Sequence, residues 1–344
     1  MPTEQFRPAG HEHEHFLLTT VVGSFPQPEW LGRVRELADD GEFDADDLAE
    51  ANDDAVRAVV NEHERAGIDV LADGEVRRTG MVEHFAQFVD GYELDDDGGS
   101  GGWNRNMPSV VDAVSTARPW LVEDYEFAAS VSDRPVKTTI TGPFTLASFS
   151  QLESDDYAGV EELAYAFADL VADEVARLGE AGAPYVQIDE PALGMSPHDD
   201  IARECVSRID DAAPGEMYFG MHVCSGNYEN LTPQVFDFPL DFVDLELASD
   251  GADDLADIFE GVDLGVDVGV GVVDTQDKAV EEVGTVVDRI AAALEWVPPE
   301  RLILAPDCGM KPLTRASASG KLRVLGEAAR EAEAALDAGE IDHA

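Results

Sequence analysis

Short apolar segments alternate with amphipathic segments along most of the chain. The apolar segments are nearly unbroken runs of aliphatic and aromatic residues, which is typical of strands buried on both faces of a parallel sheet. The sequence contains eight such segments, and we interpret each one as a strand. They span residues 16–24, 68–75, 136–143, 185–191, 217–224, 242–248, 264–274 and 302–309.

Helical periodicity fills several of the intervals between these strands. Apolar residues recur at helical spacing over 46–66, 161–180, 278–296 and 321–338, and Gly67 and Gly182 follow the first two as stop signals. Strands that alternate with helices in this way predict the α/β class, and specifically a (β/α)8 TIM barrel. We expect one barrel domain over 16–344, preceded by a mobile N-terminal arm at 1–15.

The interval after the second predicted strand is longer than one helix requires. Residues 76–135 include the Gly/Asp-rich sequence GYELDDDGGSGGWNRN at 91–106. Such an insertion is either a lid over the barrel mouth or an unstructured loop, and the sequence favours neither. The N-terminal arm carries His11, His13 and His15 between glutamates. That pattern could bind a metal weakly, but it is more typical of a mobile segment.

Charge is the most unusual feature of the composition. The chain has 73 acidic residues against 22 lysines and arginines, a formal net charge of −51. A field of this sign repels phosphates, so we expect neither nucleic acid nor an anionic membrane as a partner. The acidic residues are spread along the whole chain. We therefore interpret them as the solvated carboxylate coat of a halophilic protein rather than as an interaction surface.

Cysteine usage and segment length bear on the compartment. The three cysteines, Cys205, Cys224 and Cys308, are too few and too scattered for a disulfide framework. No apolar segment approaches the ~20 residues of a membrane span, and the N-terminus has no signal-peptide pattern. These features predict a cytoplasmic protein with reduced thiols.

Polar side chains follow almost every predicted strand. In a barrel of this class the carboxyl ends of the strands meet on one rim, and that rim carries the active site. Core packing gives no reason for polar residues there, so we interpret them as a functional site. They are Ser24, Asp73, Glu75, Asp189, Glu190, His222, Cys224, Glu246, Asp274, Asp307 and Cys308.

Four of these residues form a candidate zinc site. His222 and Cys224 are two positions apart, so they point to the same face of one strand, and Glu246 and Cys308 end two further strands. Two thiolates, an imidazole and a carboxylate suit tetrahedral Zn²⁺. The carboxylate is the easiest ligand to displace, so a thiol substrate could replace it and lose its proton. Cys205, in a helical stretch, is interpreted as a core residue.

Six stretches of the sequence resemble the catalytic half of cobalamin-independent methionine synthase. In chain order they are TTVVGSFPQP, DGEVRRTGMVEHF, TGPFTLASF, QIDEPAL, MHVC and PDCGMK, between Thr19 and Lys311. Their order and spacing resemble the family over nearly the full chain. The resemblance implies a zinc-dependent barrel that transfers a methyl group to homocysteine and forms methionine.

The resemblance also implies roles for individual residues. It implies that the zinc ligands are His222, Cys224, Glu246 and Cys308. It implies that Ser24, Glu75 and Asp189 contact homocysteine, with Glu75 and Asp189 as the catalytic carboxylates. These roles are chemically reasonable, because two carboxylates suit the ammonium of an amino acid and a Gly-Ser turn offers backbone N–H groups to its carboxylate.

The chain departs from the family pattern on the side of the methyl donor. Two-barrel members have a second, N-terminal barrel, for which we expect no room in this chain. Phe149 stands where those members have a tryptophan that stacks on folate, and Gln276 stands where they have a histidine that protonates the leaving group. We therefore expect a corrinoid, such as a methyl-corrinoid protein, or another one-carbon carrier as donor rather than methyl-tetrahydrofolate. Asp274 and His84 are other candidate acids.

Three other functions remain open at this point. The barrel could act on a different thiol such as coenzyme M, in methyl transfer or thioether cleavage, although Glu75 and Asp189 suit an ammonium better than a sulfonate. It could be a non-catalytic binder of zinc and homocysteine, which Gln276 would fit. A tetrapyrrole decarboxylase of the same superfamily is the weakest alternative, because it needs no zinc ligands.

Overall fold

The computed structural model describes residues 16–78, 80–94, 107–116, 118–195, 198–224, 228, 231, 233–249 and 255–344. The arm at 1–15, with His11, His13 and His15, lies outside the described residues. So do positions 95–106 of the Gly/Asp-rich insertion.

Seven parallel strands form the central sheet. They are β1 (Leu18–Thr19), β4 (Lys137–Thr141), β6 (Tyr185–Asp189), β7 (Tyr218–Val223), β8 (Phe242–Leu245), β9 (Asp267–Val273) and β10 (Leu302–Pro306), and their order is β1-β10-β9-β8-β7-β6-β4. Apart from β1 at the edge, the order follows the chain, as expected where each strand pairs with the next one around a barrel.

The second predicted strand is reduced to two isolated bridges that close the ring. Thr20 pairs with Val70 and Leu71 pairs with Val136, both in parallel. These bridges connect the two edge strands β1 and β4, so the predicted barrel is confirmed. The strand stops there because the chain turns immediately afterwards, with Gly74 and Glu75 both at positive φ.

Helices surround the barrel as predicted, with some boundaries displaced. They are α1 (Glu29–Asp39), α2 (Ala45–Ala66), α3 (Met81–Ala86), α4 (Val122–Ser130), α5 (Pro143–Ser148), α6 (Val160–Glu180), α7 (Pro191–Met195), α8 (Asp199–Ala212), α9 (Leu255–Phe259), α10 (Val283–Leu294) and α11 (Arg315–Asp337). Among the helices of the described residues, none is long and apolar enough to cross a bilayer.

Two of the predicted helices begin at different residues from those expected. The third begins at Val283 rather than at 278, because Glu281 is engaged outside a helix, with its carboxylate accepting from the backbone of Asp274 and from Lys321. The last begins at Arg315 rather than at 321, because the Thr314 hydroxyl accepts from the backbone N–H of Ser317 and caps the helix.

The inner face of the barrel changes from apolar to polar along the strands. Its floor is a cluster of Phe16, Leu18, Val70, Tyr185, Tyr218, Phe242 and Ile303. The rings of Tyr218 and Phe242 stack there with centroids 5.2 Å apart. Two and four residues further along the same strands the inward positions are polar, such as Gln187 and Asp189 on β6, so the barrel interior opens toward its mouth as a polar chamber.

The insertion forms a small sheet at its base. Strand β2 (Asp90–Glu93) pairs antiparallel with β3 (Ser109–Ser115), which pairs in parallel with β5 (Gln151–Leu152). The Tyr92 hydroxyl and Ser150 Oγ lie 2.5 Å apart. The base of the insertion is therefore attached to the segment that follows α5, one residue from Phe149, and the sequence analysis did not predict this sheet.

Candidate metal centre and active site

Three strands of the barrel, β7, β8 and β10, bring the predicted metal ligands together at their carboxyl ends. His222 lies on β7 and Cys224 directly follows that strand, two positions further on the same inner face. In the register of β7 and β8, His222 is opposite Asp244, and Glu246 follows Asp244 by two positions on the same face. Cys308 comes from the segment immediately after β10. This convergence follows from the alternation of side chains along parallel strands that end at the same rim.

His222, Cys224 and Cys308 form a group that could hold a metal ion. One ligand atom of each residue lies within 4.8 Å of the others. Asp244 Oδ2 lies 2.7 Å from His222 Nδ1, which leaves Nε2 as the nitrogen available to a metal. That atom is buried and has no hydrogen-bond partner among the described residues. An orphaned buried nitrogen beside two thiols fits a metal of the zinc type.

Electrostatics in the group reflect the absence of solvent. Burial alone would lower the pKa of His222, but the hydrogen bond that its Nδ1 donates to Asp244 and the charge of that carboxylate raise the pKa well above its usual value. The contact with Cys224 and burial raise the pKa of the Cys308 thiol well above its usual value. A bound cation reverses this balance, because it stabilises thiolates directly.

Glu246, the fourth ligand implied by the resemblance, lies beside this group but is not part of it. Its Oε1 accepts from Ser249 Oγ at 2.9 Å and from Gln276 Nε2 at 3.0 Å. Its backbone N–H donates to the Tyr228 hydroxyl, which in turn donates to the carbonyl of Val223. Gln276, which sequence reasoning placed on the side of the methyl donor, therefore contacts the carboxylate that was predicted to be the displaceable zinc ligand.

Asp307 holds the loop that directly follows Glu246. Its carboxylate accepts three backbone N–H groups, from Leu247 at 3.0 Å, Ala248 at 2.7 Å and Ser249 at 2.6 Å. Burial raises the pKa of Asp307 to about 6, against the opposite effect of these hydrogen bonds. The residue next to Cys308 thus couples the ends of β8 and β10.

Glu75 is held in a strained backbone conformation. Its φ is 54°, and among the described residues it is the one non-glycine position at positive φ. Its backbone N–H donates to Asp73 Oδ1 at 2.9 Å, and its Oε1 accepts from Thr139 Oγ1 at 2.8 Å and lies 3.5 Å from Arg78 Nη1. Strain of this kind costs ~1–3 kcal/mol and concentrates at functional sites, where it directs a side chain inward.

Asp189 ends β6 close to both Glu75 and His222. Burial raises its pKa to about 7, the charge of His222 opposes the rise and that of Glu75 adds to it. Gln187 Nε2 donates to Asp189 Oδ1 at 2.7 Å. The two carboxylates predicted to contact an amino group are therefore neighbours beside the metal group.

Ser24 lies between Glu75 and the Cys308 loop. A β-carbon on Gly23 would stand 2.6 Å from Glu75 Oε1, and one on Gly309 would stand 2.1 Å from Ser24 Oγ. The backbone N–H of Met310 donates to the carbonyl of Ser24 at 2.8 Å. Only glycine permits these close approaches, which bring the Gly-Ser turn against both the carboxylate and the metal group.

The remaining predicted residues lie further out. Phe149 follows α5, half-buried, with its ring packed against the apolar core. Asp274 Oδ1 accepts from the backbone N–H of Gln276 at 2.7 Å. Burial and then the charge of Arg78 lower the pKa of His84 to about 3. His84 is therefore neutral near pH 7 and cannot donate a proton as an imidazolium.

Sequence reasoning missed four polar residues of the chamber: Arg78, Lys137, Gln187 and Asp244. Lys137, Gln187 and Asp244 lie inside predicted strands, and Gln187 and Asp244 are each two positions from a residue that was singled out and from the aromatic floor. The signal was the period of two, since Tyr185, Gln187 and Asp189 must share one face, as must Phe242, Asp244 and Glu246. Arg78 follows the second strand in the stretch that begins with Asp73.

Comparison with known proteins identifies the family. The profile described as the catalytic domain of cobalamin-independent synthase matches residues 17–331. The chain belongs to this family. The methionine synthases of Sulfurisphaera tokodaii and Thermococcus kodakarensis are 37% and 36% identical to it, each over 89% of this chain and over 89% and 90% of their own lengths.

Solved structures agree with the family assignment. A B12-independent methionine synthase from Shewanella sp. W3-18-1, in complex with selenomethionine, superimposes with a TM-score of 0.79 at 26% identity, covering 94% of this chain and 99% of that one. A Listeria monocytogenes protein at 22% identity superimposes with a TM-score of 0.73 and is a likeness in fold alone. The predicted family, fold and enzyme class, an S-methyltransferase of the methionine synthase type, are confirmed.

Proposed function

We propose that this enzyme transfers a methyl group to the thiol of homocysteine, with Zn²⁺ held by His222, Cys224, Cys308 and Glu246. The observation that carries the proposal is the group of one imidazole and two thiols beside the Glu75–Asp189 pair, in which His222 and Cys224 are buried and Cys308 is half-buried. A soft metal site next to two carboxylates suits a substrate that carries both a thiol and an ammonium.

Different residues of the site bind different groups of the substrate. Glu75 and Asp189 accept hydrogen bonds from the ammonium, and the Gly23–Ser24 turn receives the carboxylate. Bound Zn²⁺ would lower the pKa of a thiol, so that a thiolate is available near neutral pH. Glu246 would be the ligand that this sulfur replaces, and Ser249 and Gln276, which already donate hydrogen bonds to its carboxylate, would hold that carboxylate once it is displaced. The sulfur then attacks the methyl carbon of the donor.

We infer that the donor is a methyl-corrinoid, free or protein-bound, or another carrier whose leaving group needs no proton. Transfer from methyl-tetrahydrofolate expels a nitrogen that must be protonated by a general acid. Gln276 does not titrate, and the lowered pKa of His84 leaves it without a proton to give. A corrinoid leaves as a stable reduced cobalt species, so the chain's own residues are sufficient for that reaction.

The test is methionine formation from homocysteine with methylcobalamin, a methylated corrinoid protein and methyl-tetrahydrofolate as alternative donors. We expect turnover with a corrinoid to exceed turnover with the folate, and Gln276→His to raise the rate with folate relative to that with corrinoid. No methionine from any donor, with coenzyme M methylated instead, would replace the proposal by the alternative thiol. Faster turnover with the folate would overturn the donor assignment alone.

Metal content tests the zinc ligands separately. We expect one zinc per chain in protein purified without chelator, and loss of most of it in Cys308→Ser. The matched control is Cys205→Ser, because Cys205 is buried in α8 away from the group. Zinc-reconstituted wild-type protein that holds no metal would contradict the proposed site.

A further inference from the structure

Lys137 is a buried cation inside the barrel, below the proposed site. It is one of four lysines in the chain, and it is 1% exposed. Its Nζ lies 5.6 Å above the ring of Tyr185 in the aromatic floor. It donates to the carbonyl of Val21 at 2.5 Å and to Gln187 Oε1 at 2.6 Å. Burial disfavours the charge of an ammonium, so a buried lysine costs free energy unless hydrogen bonds and opposite charges compensate it. The partners of Lys137 therefore need an explanation.

Lys137 determines which way the Gln187 amide points. An ammonium has donors and no acceptor, so the oxygen of the amide must face Lys137. The amide nitrogen is thereby turned to the other side, where it donates to Asp189 Oδ1 at 2.7 Å and to the carbonyl of Val22 at 3.0 Å. A reversed amide would bring two donors together at Lys137 and two acceptors together at Asp189.

We propose that Lys137 is a positioning residue, which acts through Gln187 to orient the Asp189 carboxylate toward the amino group of the substrate. The inference rests on the proposed function, since it assigns to Lys137 the selection of a thiol that carries an ammonium. One Asp189 oxygen is fixed by Gln187, so the plane of the carboxylate is set before substrate arrives. Without Lys137 the amide is free to reverse and the carboxylate loses that constraint.

The test compares two ligands that differ only in the amino group. Homocysteine and its des-amino analogue, a mercaptobutyrate, are titrated calorimetrically into zinc-loaded protein. We expect wild-type protein to prefer homocysteine, and Lys137→Met to lose at least ~10-fold of that preference while its affinity for the analogue stays the same. A general loosening of the barrel would weaken both ligands together.

A second variant and a control make the outcome decisive. Gln187→Met removes the hydrogen bonds that connect Lys137 with Asp189 without removing a charge, so it should reproduce the loss of preference for homocysteine. If Lys137→Met does not fold, the result with Gln187→Met tests the inference. Lys321→Met is the control. Lys321 is equally buried, but it lies on α11, outside the barrel, and its Nζ pairs with Glu281 at 2.8 Å. Preference retained in Lys137→Met or in Gln187→Met overturns the inference. A wild-type protein without any preference overturns the proposed function instead.

Discussion

At the scale of single residues, the hydrogen bond between His222 Nδ1 and Asp244 determines how the imidazole can bind a metal. It fixes the tautomer and the ring plane, so that Nε2 faces the two thiols. Outer carboxylates of this kind raise the basicity of a ligating histidine and are typically needed for full metal affinity. Asp244 would therefore support the proposed zinc site without touching the ion.

Replacing Asp244 tests this contribution. Asp244→Asn keeps the size of the side chain but removes its charge, and we expect zinc affinity to fall ~10–100-fold, measured by competition with a chromogenic chelator. Asp267→Asn is the matched control. Asp267, the first residue of β9, is also buried, but its carboxylate accepts from the Tyr218 hydroxyl at 2.6 Å in the barrel floor. Equal losses in both variants would show that the barrel is loosened rather than that the ligand is misoriented.

Glu75 provides a test of substrate recognition. Glu75→Gln retains the contact with Thr139 Oγ1 but loses the charge that we assign to the substrate ammonium. We expect homocysteine binding to weaken by ~1.5–3 kcal/mol, the usual range for a hydrogen bond to a charged group, with unchanged zinc content. Affinities are measured calorimetrically. An unchanged affinity for homocysteine would remove Glu75 from the amino-acid pocket.

The predictable residues of the site are those at the strand ends. Cys224 and Cys308 were singled out as candidates because polar residues at the ends of apolar strands need an explanation. Asp244 and Lys137 were not, because a buried polar residue within a strand is visible only when its neighbours on the inner face are known. Whether Glu246 joins the metal ligands depends on local side-chain contacts, with Gln276 above all, that spacing cannot show.

At the scale of elements, buried carboxylates connect segments by accepting backbone N–H groups. Glu174 of α6 accepts from Trp120 and Leu121 at 2.8 and 2.7 Å, at the start of α4. Glu190 accepts from Phe144 and Thr145 at the start of α5 in the same way. These acids satisfy helix N-termini, and the helix dipole favours their charge. They are a small structural subset of the 73 acidic residues.

Glu174→Gln should therefore destabilise the fold while leaving the site intact. The amide retains one acceptor but weakens two charge-assisted hydrogen bonds to buried N–H groups, so we expect a loss of ~2 kcal/mol in the free energy of unfolding. Denaturant unfolding at constant high salt measures it. Glu180→Gln, an exposed position at the end of the same helix, should change stability by less than ~0.5 kcal/mol. Comparable losses in both would contradict the structural role of Glu174.

The elements that could be predicted are those with long periodic patterns. The second strand was predicted at full length, yet only Val70 and Leu71 pair, because the strained turn at Glu75 ends it. The sheet of β2, β3 and β5 was missed because its strands are short and largely exposed, and β5 consists of Gln151 and Leu152 alone. Pairing of this kind depends on the tertiary arrangement rather than on a local pattern.

At the scale of the whole molecule, one buried histidine links stability to pH. Burial lowers the pKa of His63 to about 3 from its usual 6.5, and its ring packs edge-on against Phe25 with centroids 5.1 Å apart. The folded state therefore keeps His63 neutral while the unfolded chain takes up a proton below pH ~6.5. The stability from this residue is complete above that pH and is lost as pH falls toward 3.

The comparison of wild-type protein with His63→Phe isolates this effect. Below pH ~6.5 we expect the free energy of unfolding of the wild type to fall relative to the variant, by up to ~1.4 kcal/mol per pH unit. The carboxyl groups whose pKa values burial raises, Asp189 and Glu190 among them, act in the opposite direction but are common to both proteins. A stability difference that does not change with pH would contradict the assignment.

The net charge of −51 should make the fold depend on salt. Like charges repel over the whole surface, and compact structure brings them closer than the unfolded chain does. Screening shortens the reach of this repulsion from ~10 Å at 0.1 M salt to ~3 Å at 1 M. We expect the free energy of unfolding to rise steadily with KCl over this range, measured by denaturant unfolding at constant pH.

A neutral osmolyte at matched water activity is the control, since it favours burial without screening charge. Equal stabilisation by the osmolyte would show that exclusion from the surface, not screening, is the cause. Full stability in dilute buffer would show that the fold tolerates its acidic surface without salt.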